Sequence, residues 1–325
     1  MFTLLHARLH ITLRQRKLLP QHKYILIAVS GGQDSLCLLK LLLDLQSKWN
    51  WKIAIAHCDH GWEHDTGIAQ HVQQLAKRWG IPFHLKTTSK LKETEAAARN
   101  WRYQALIEVA QENNFPIIVT GHTQSDRAET LLYNLFRGSG NDGLSALTWQ
   151  RPLTNNIILV RPLLTINRSE VWDFCQKHKL PIWEDITNEN LNYARNRIRK
   201  ELIPYLEMNF NPQVEKTLAR TAEIIRDETE YLENCARVSL TRALSEDETQ
   251  LNRSVLQLIP LVLQRRVMRQ FFFKISSKNP SFEQIESLIK LINAPERTRT
   301  SSLPGELIAE VKENWIIFIK KETDL

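Results

Sequence analysis

Residues 25–36 read Ile25-Leu26-Ile27-Ala28-Val29-Ser30-Gly31-Gly32-Gln33-Asp34-Ser35-Leu36. A short apolar run bounded by a turn signal is the pattern of a buried strand, and Leu36 opens a run with helical periodicity. Two adjacent glycines let the backbone turn sharply and approach a ligand closely. The free N–H groups at the start of the following helix then point at whatever anion sits there. Strand, glycine turn and helix together predict a phosphate cradle. The loop lacks the lysine of a P-loop kinase or GTPase, so transfer of a terminal phosphate is not its expected chemistry. Asp34 beside a phosphate would repel it unless a cation intervened, and Mg²⁺ held by one or two carboxylates plus phosphate oxygens is the usual resolution. The alternative is that Asp34 and Ser35 simply cap the helix.

Outward from this stretch, short β-branched runs alternate with amphipathic helical patterns, the signature of an α/β fold: a parallel twisted sheet with helices on both faces. Strands are expected at 24–29, 52–57, 82–86 and 116–120, with helices at 35–47, 68–79, 94–113 and 125–136. Segment 147–162 reads as a hairpin turning at Asn155 and Asn156, appended to the sheet. The spacing predicts a first domain over 1–210 and a smaller, mostly helical domain over 211–325, closed by a strand at 315–319.

The 325 residues are too many for one ordinary domain, and 42% hydrophobic with 24% charged content is globular composition. A net charge of +7 raises the local concentration of phosphate-bearing partners. Cys37, Cys58, Cys175 and Cys235 are scattered without a CxxC pair, as expected for a reducing cytoplasm. Charged residues interrupt segment 1–20, which therefore lacks a signal-peptide core, and no apolar run suffices to span a membrane.

The loop resembles that of the N-type ATP pyrophosphatases, and four further stretches narrow the resemblance to the tRNA(Ile)-lysidine synthetase family. They are His57-Cys58-Asp59-His60-Gly61; Glu95 with Arg99, Arg102 and Tyr103; and Gly121-His122 through Asp126, Glu129 and Thr130 to Arg137-Gly138-Ser139-Gly140. The last runs from Arg161-Pro162-Leu163-Leu164 through Trp183-Glu184-Asp185 and Thr187-Asn188 to Tyr193, Arg195, Arg197 and Arg199. Two positions depart from the family pattern: Ser125 stands where an aspartate is usual, and Thr123 where a histidine is usual.

The resemblance implies an adenine nucleotide alpha hydrolase-like fold and an ATP-consuming ligase acting on isoleucine tRNA with a CAU anticodon. ATP would adenylate the wobble cytidine, and the ε-amine of free L-lysine would then displace AMP. It further implies ATP contacts at Ser30, Gly31, Gly32, Gln33, Asp34, Ser35, His57 and His122, with Mg²⁺ on Asp34 and Asp126. Asp34, Asp126 and Glu129 would be catalytic, although acidic residues at a helix start also complement its dipole. RNA contacts would fall on Arg99, Arg102, Arg137, Arg195, Arg197 and Arg199. Arg220, Arg226, Arg265, Arg266 and Arg269 would grip phosphates from the C-terminal domain, and a homodimer is left open. A tRNA sulfur transferase built on the same loop usually needs paired cysteines, which this chain lacks.

Overall fold

The computed structural model describes residues 2–62, 65–89, 91, 94–145, 147–183 and 190–320. Glu184, Asp185, Thr187, Asn188 and the side chain of Glu95, all part of the motifs above, lie outside the described residues. The chain divides into two compact units, 1–226 and 227–325.

The first unit opens with α1 (Leu4–Gln15), β1 (Tyr24–Ala28), α2 (Gln33–Trp49), β2 (Lys52–Asp59), α3 (Ile68–Trp79), β3 (Phe83–Thr87), α4 (Glu95–Glu112) and β4 (Ile117–Val119). It continues with α5 (Gln124–Phe136), α6 (Asn141–Leu144), β5 (Gln150–Pro152), β6 (Ile158–Val160), α7 (Arg168–Lys177) and α8 (Ala194–Arg197). A π-helical turn (Ile198–Leu202) leads into α9 (Ile203–Asn209), and α10 (Val214–Ala243) follows. The sheet order is β3-β2-β1-β4-β6-β5, parallel except for β5. The expected α/β class and the hairpin are both present. The hairpin supplies one further parallel strand, β6, and an antiparallel edge.

Strand alternation explains the layers. Ile25, Ile27, Ile53, Ile55, Ile117 and Val119 join the large core formed with α1, α2, α3 and α7. Leu26, Ala54, Ala56 and Ile118 face the other way, onto Leu106, Val109 and Ala110 of α4. Successive side chains point to opposite faces, so strands covered on both sides read as continuous apolar runs. Helix starts follow local chemistry: Thr123 caps α5 and Asn167 caps α7, each in a reciprocal box with the residue three places on.

The order reverses between β1 and β4, and the carboxyl ends of strands at such a switch point are where open α/β sheets bind ligands. That is where the glycine loop lies.

A domain break was expected at 210/211, but the units divide at Arg226 and Asp227, inside α10. The reason is an ionic knot around the buried Arg127. Glu223 of α10 accepts from Trp149 Nε1 at 2.9 Å, pairs with Arg16 at 2.8 Å and Arg226 at 3.3 Å, and bonds Arg127. Arg127, almost fully buried, also donates to the carbonyl of Leu147. The first turns of α10 thus belong to the sheet domain.

The second unit packs α11 (Arg253–Gln257), α12 (Leu261–Ser276) and α13 (Phe282–Lys290) with a three-stranded antiparallel sheet. Its strands are β7 (Gln250–Asn252), β8 (Leu307–Lys312) and β9 (Trp315–Lys320), in the order β7-β9-β8. Only the last strand was foreseen. Among the described residues no helix is long and apolar enough to cross a membrane.

Glu223→Ala leaves a buried guanidinium without its carboxylate, and such losses cost about 3–5 kcal/mol. Burial alone would raise the Glu223 pKa, but Arg127, Trp149, Arg226 and Arg16 more than reverse this and hold it below the usual range. Its stabilising contribution is therefore complete above the unfolded carboxylate pKa, about 4.3, and is lost as pH falls through the lower folded value. Denaturant unfolding should show a variant deficit at pH 7 that shrinks below pH 4; equal stability of the two proteins at pH 7 would remove the knot as the reason for the boundary.

Candidate active site

At the C-terminal end of β1 the backbone turns through Gly31 at φ +89°, a conformation that side-chain-bearing residues rarely adopt. A side chain there would also meet Ile68 and Trp183. Gly32 is the N-cap of α2. The first-turn N–H groups of that helix have no acceptors within it and carry the positive end of its dipole. Ser35 Oγ donates to the Gly32 carbonyl at 2.9 Å and accepts from Ser30 N–H at 3.2 Å, fixing the loop from inside.

A second loop, after β4, presses against the first. At Gly121 an added Cβ would lie 2.7 Å from the Asp34 carbonyl oxygen and 3.0 Å from Ser35 N, so only glycine fits. This contact brings His122 and Asp126 beside Asp34.

The loops open onto one cleft with two lobes. The larger lobe, about 710 Å³, is lined by Ser30, Gly32, Gln33, Asp34, Ser35 and His57, with Ile68, Trp172, Ile182 and Trp183 at its apolar end. The smaller, about 300 Å³, is lined by Arg102, Tyr103, His122 and Asp126. Asp34, His60, Arg168 and Arg199 border both.

An alternating ionic network spans the cleft. Arg168 reaches Asp34 at 3.1 Å and Glu129 at 3.9 Å. Arg199 holds both oxygens of Glu129, at 2.6 and 2.8 Å, and lies 3.6 Å from Asp126. Burial raises the Asp34 pKa to about 6, with Arg168 opposing and Asp126 reinforcing the rise. Burial also disfavours ionised Asp126, but the Arg168 and Arg199 guanidinium groups and the Thr123 N–H outweigh it and leave that pKa below the ordinary value. Burial prevails at Glu129, whose pKa is raised.

Both histidines are held neutral by burial, His57 with a lowered pKa and His122 at about 3. His57 Nδ1–H donates to the Val29 carbonyl at 2.7 Å, because a carbonyl can only accept, and this leaves Nε2 as an acceptor. His122 Nδ1 lies 2.9 Å from Thr120 Oγ1.

The structure brings together Ser30, Gly32, Gln33, Asp34, Ser35, His57, His122, Asp126, Arg102 and Arg199. Glu129 is buried, lines neither lobe and has both oxygens on Arg199. Arg199, expected on RNA, carries that carboxylate and lines both lobes. Asp126 Oδ2 accepts from Thr123 N–H at 2.7 Å as part of the helix cap, while Oδ1 lies 3.6 Å from Arg199. In the second unit Arg265 pairs with Glu286, and Arg266 and Arg269 pair with Glu233, so these three are not bare cations.

Arg168 was missed. A signal was present: a cation in the first turn of a helix opposes the dipole and needs a compensating partner, here Asp34. Ser125 helps aim it, accepting from the Arg168 backbone N–H at 3.2 Å and donating to Glu215 at 2.8 Å.

Among the described residues no three histidines, cysteines or acidic groups gather to cage a metal. Asp34 and Asp126 nevertheless face one cavity, and the burial-raised Asp34 pKa marks a carboxylate short of positive charge. That donor set fits Mg²⁺, which keeps waters and takes phosphate oxygens to complete its shell.

Residues 5–206 match the PP-loop domain family. Fold and cleft are thus those of a PP-loop protein, a class built to bind ATP across a glycine turn. Over essentially its full length the chain is similar to a tRNA(Ile)-lysidine synthase of Nostoc sp., 56% identical with 97% of each chain covered. One from Synechocystis sp. is 52% identical with 98% of each covered. The chain belongs to the tRNA(Ile)-lysidine synthase family. Among solved structures, the U34-tRNA thiolase NcsA of Methanococcus maripaludis shares the fold, with a TM-score of 0.59 at 18% identity over 68% of this chain and 77% of that one.

Gly121→Ala forces the two loops apart and should lower ATP-dependent turnover more than tenfold, with a stability loss of about 1–3 kcal/mol, the usual cost of overpacking. At Gly140 an added methyl meets nothing within 4 Å, and Gly140→Ala should match wild type in both thermal melting and pyrophosphate release. Equal behaviour of the two variants would show that the loops do not need their close approach.

Proposed function

We propose that the chain activates the wobble cytosine of isoleucine tRNA bearing a CAU anticodon with ATP, then joins it to the ε-amine of free lysine to form lysidine. The observation that carries this reading is the glycine cradle at the β1/β4 switch point, opening onto a two-lobed cleft whose lobes share Asp34 and Arg168.

In this reading the triphosphate lies over Gly31, Gly32 and the first turn of α2, with adenine toward Ile68, Ile182 and Trp183. The cytosine 2-oxygen attacks the α phosphorus and pyrophosphate leaves. A carbonyl oxygen is a poor leaving group, and as a phosphate ester it departs readily. Lysine enters the smaller lobe, its carboxylate toward the guanidinium of Arg102 and its amine toward Asp126. The ε-amine, once its ammonium proton has passed to solvent, attacks C2 and expels AMP. Once the C–N bond forms, the nitrogen's proton is far more acidic than in free lysine, so even the weakly basic Oδ1 of Asp126 can take it. Holding amine and ester at attack distance offsets up to about 7–11 kcal/mol of barrier.

Mg²⁺, held by Asp34 and Asp126, would neutralise charge on the phosphates when bound. Within the chain itself, Arg168 and the α2 amides serve the same charge, and His57 Nε2 offers an acceptor to the nucleotide. Arg99, Arg102, Arg137, Arg195 and Arg197 would contact RNA. Arg99 and Arg151 flank the Tyr103 ring at 5.5 and 4.9 Å. Burial opposes ionisation of Tyr103, but Arg161 and Arg99 bring its pKa down to about 8. The smaller lobe is accordingly rich in positive charge, as a carboxylate-bearing substrate requires.

Incubation with ATP, Mg²⁺, labelled lysine and isoleucine tRNA transcript should transfer label to RNA with release of pyrophosphate. Label that stays free while pyrophosphate still appears would overturn the lysine assignment. Asp34→Asn should reduce pyrophosphate release by about 10²-fold or more with an unchanged melting temperature; wild-type turnover in that folded variant would remove Asp34 from the chemistry.

A further inference from the structure

Outside the cleft, a groove of about 620 Å³ runs between the last turn of α5 and residues 194–205. Tyr133, Phe136 and Tyr205 line it, with Phe136 64% and Tyr205 57% exposed. Arg137 and Arg197 flank these rings. The Arg137 guanidinium sits 5.3 Å from the Tyr133 ring centroid and donates to the Tyr133 hydroxyl at 3.0 Å. Arg197 donates to the carbonyls of Leu191 and Asn192 at 2.8 and 3.1 Å. Those carbonyls orient the guanidinium without neutralising it. Among the described residues neither arginine forms an ion pair with a carboxylate, in contrast to Arg168 and Arg199.

The groove and the cleft share a wall. The helix widens to a π turn at Ile198–Leu202, a distortion frequent at functional sites. From that turn Arg199 enters the cleft, while Ile198 and Glu201 face the groove. A strand whose target base occupies the cleft therefore passes the groove with a neighbouring nucleotide.

Three rings and two uncompensated guanidinium groups match one ligand chemistry. Single-stranded RNA presents flat bases that stack on aromatic faces and phosphates that pair with arginine. An apolar peptide would leave the guanidinium groups without partners, and a phosphopeptide would leave the rings without stacking partners. Glu201, at the edge, can accept from an exocyclic base amine.

We infer that this groove is a second nucleobase site, which stacks an unpaired anticodon-loop base next to the one being modified. The inference rests on tRNA being the substrate. Its consequence is positional: one base held by stacking keeps the loop open and fixes which neighbour enters the cleft.

The test uses the full chain and an anticodon stem-loop RNA carrying 2-aminopurine in turn on each side of the target cytidine. Wild type should quench one of the two probes on binding, since stacking on an aromatic ring quenches 2-aminopurine. Phe136→Ala/Tyr205→Ala should abolish the quench and raise the KM for tRNA about tenfold or more, leaving the KM for ATP unchanged, whereas Tyr205→Phe should behave as wild type. Phe136→Glu, at a surface position, provides a second variant that should weaken RNA binding through charge. If wild type binds the RNA and quench and KM persist in these variants, the groove assignment is overturned while the tRNA reading stands. If wild type binds no tRNA at all, both fall.

Discussion

Two guanidinium groups, Arg168 and Arg199, hold three carboxylates, Asp34, Asp126 and Glu129, and most of what the cleft can do follows from that imbalance. The five groups come from α2, α5, α7 and the π turn after α8, so the network joins elements far apart in sequence. Neither cation can be removed without leaving a buried carboxylate uncompensated, a large penalty in a region of low dielectric. Burial pushes the Asp34 pKa up to about 6, with Arg168 opposing and Asp126 reinforcing the rise, so the carboxylate next to the phosphate cradle is held least firmly in its ionised form.

The same network explains why one acidic position tolerates a different residue. Ser125 stands where the family resemblance implies an aspartate. A carboxylate at that point would face Glu215, which the hydroxyl meets at 2.8 Å. The hydroxyl instead donates to Glu215 and accepts from the Arg168 backbone. Ser125 thus converts a potential repulsion into the contact that orients the arginine on Asp34.

Much of the fold could be read from local pattern, because β1 to β4 and their helices are specified by neighbours in sequence. Doubly covered strands announce themselves as apolar runs, and glycine at φ +89° can be inferred from the turn that requires it. What resisted reading was long-range pairing. Arg168 and Asp34 are far apart in the chain, as are Arg199 and Glu129; the helix-start position of Arg168 calls for a partner without naming it, and nothing in the local spacing of Arg199 distinguishes an ion pair from an RNA contact. The units divide beyond Asn211 for the same reason, since Glu223 is drawn into the first unit by Arg16, Arg127 and Trp149. Helix α1 escaped because its charged residues masked the buried stripe of Leu5, Leu9 and Leu13.

A positive net charge says little until its cations are sorted by what they touch. Arg127, Arg168, Arg199, Arg265, Arg266 and Arg269 are balanced by carboxylates and add little to the attraction of an anionic partner at close range. Among the described residues Arg137 bonds a hydroxyl and Arg197 backbone carbonyls, with no carboxylate partner, and Arg99 and Arg151 lie over Tyr103. These four keep their full charge next to aromatic surface. Since phosphates supply most of the affinity for nucleic acid and rings give a base somewhere to stack, the uncompensated subset, rather than the total of +7, marks where a strand would run. That subset comes from α4, the end of α5, β5 and α8, so in the proposed reading the RNA would approach along those elements.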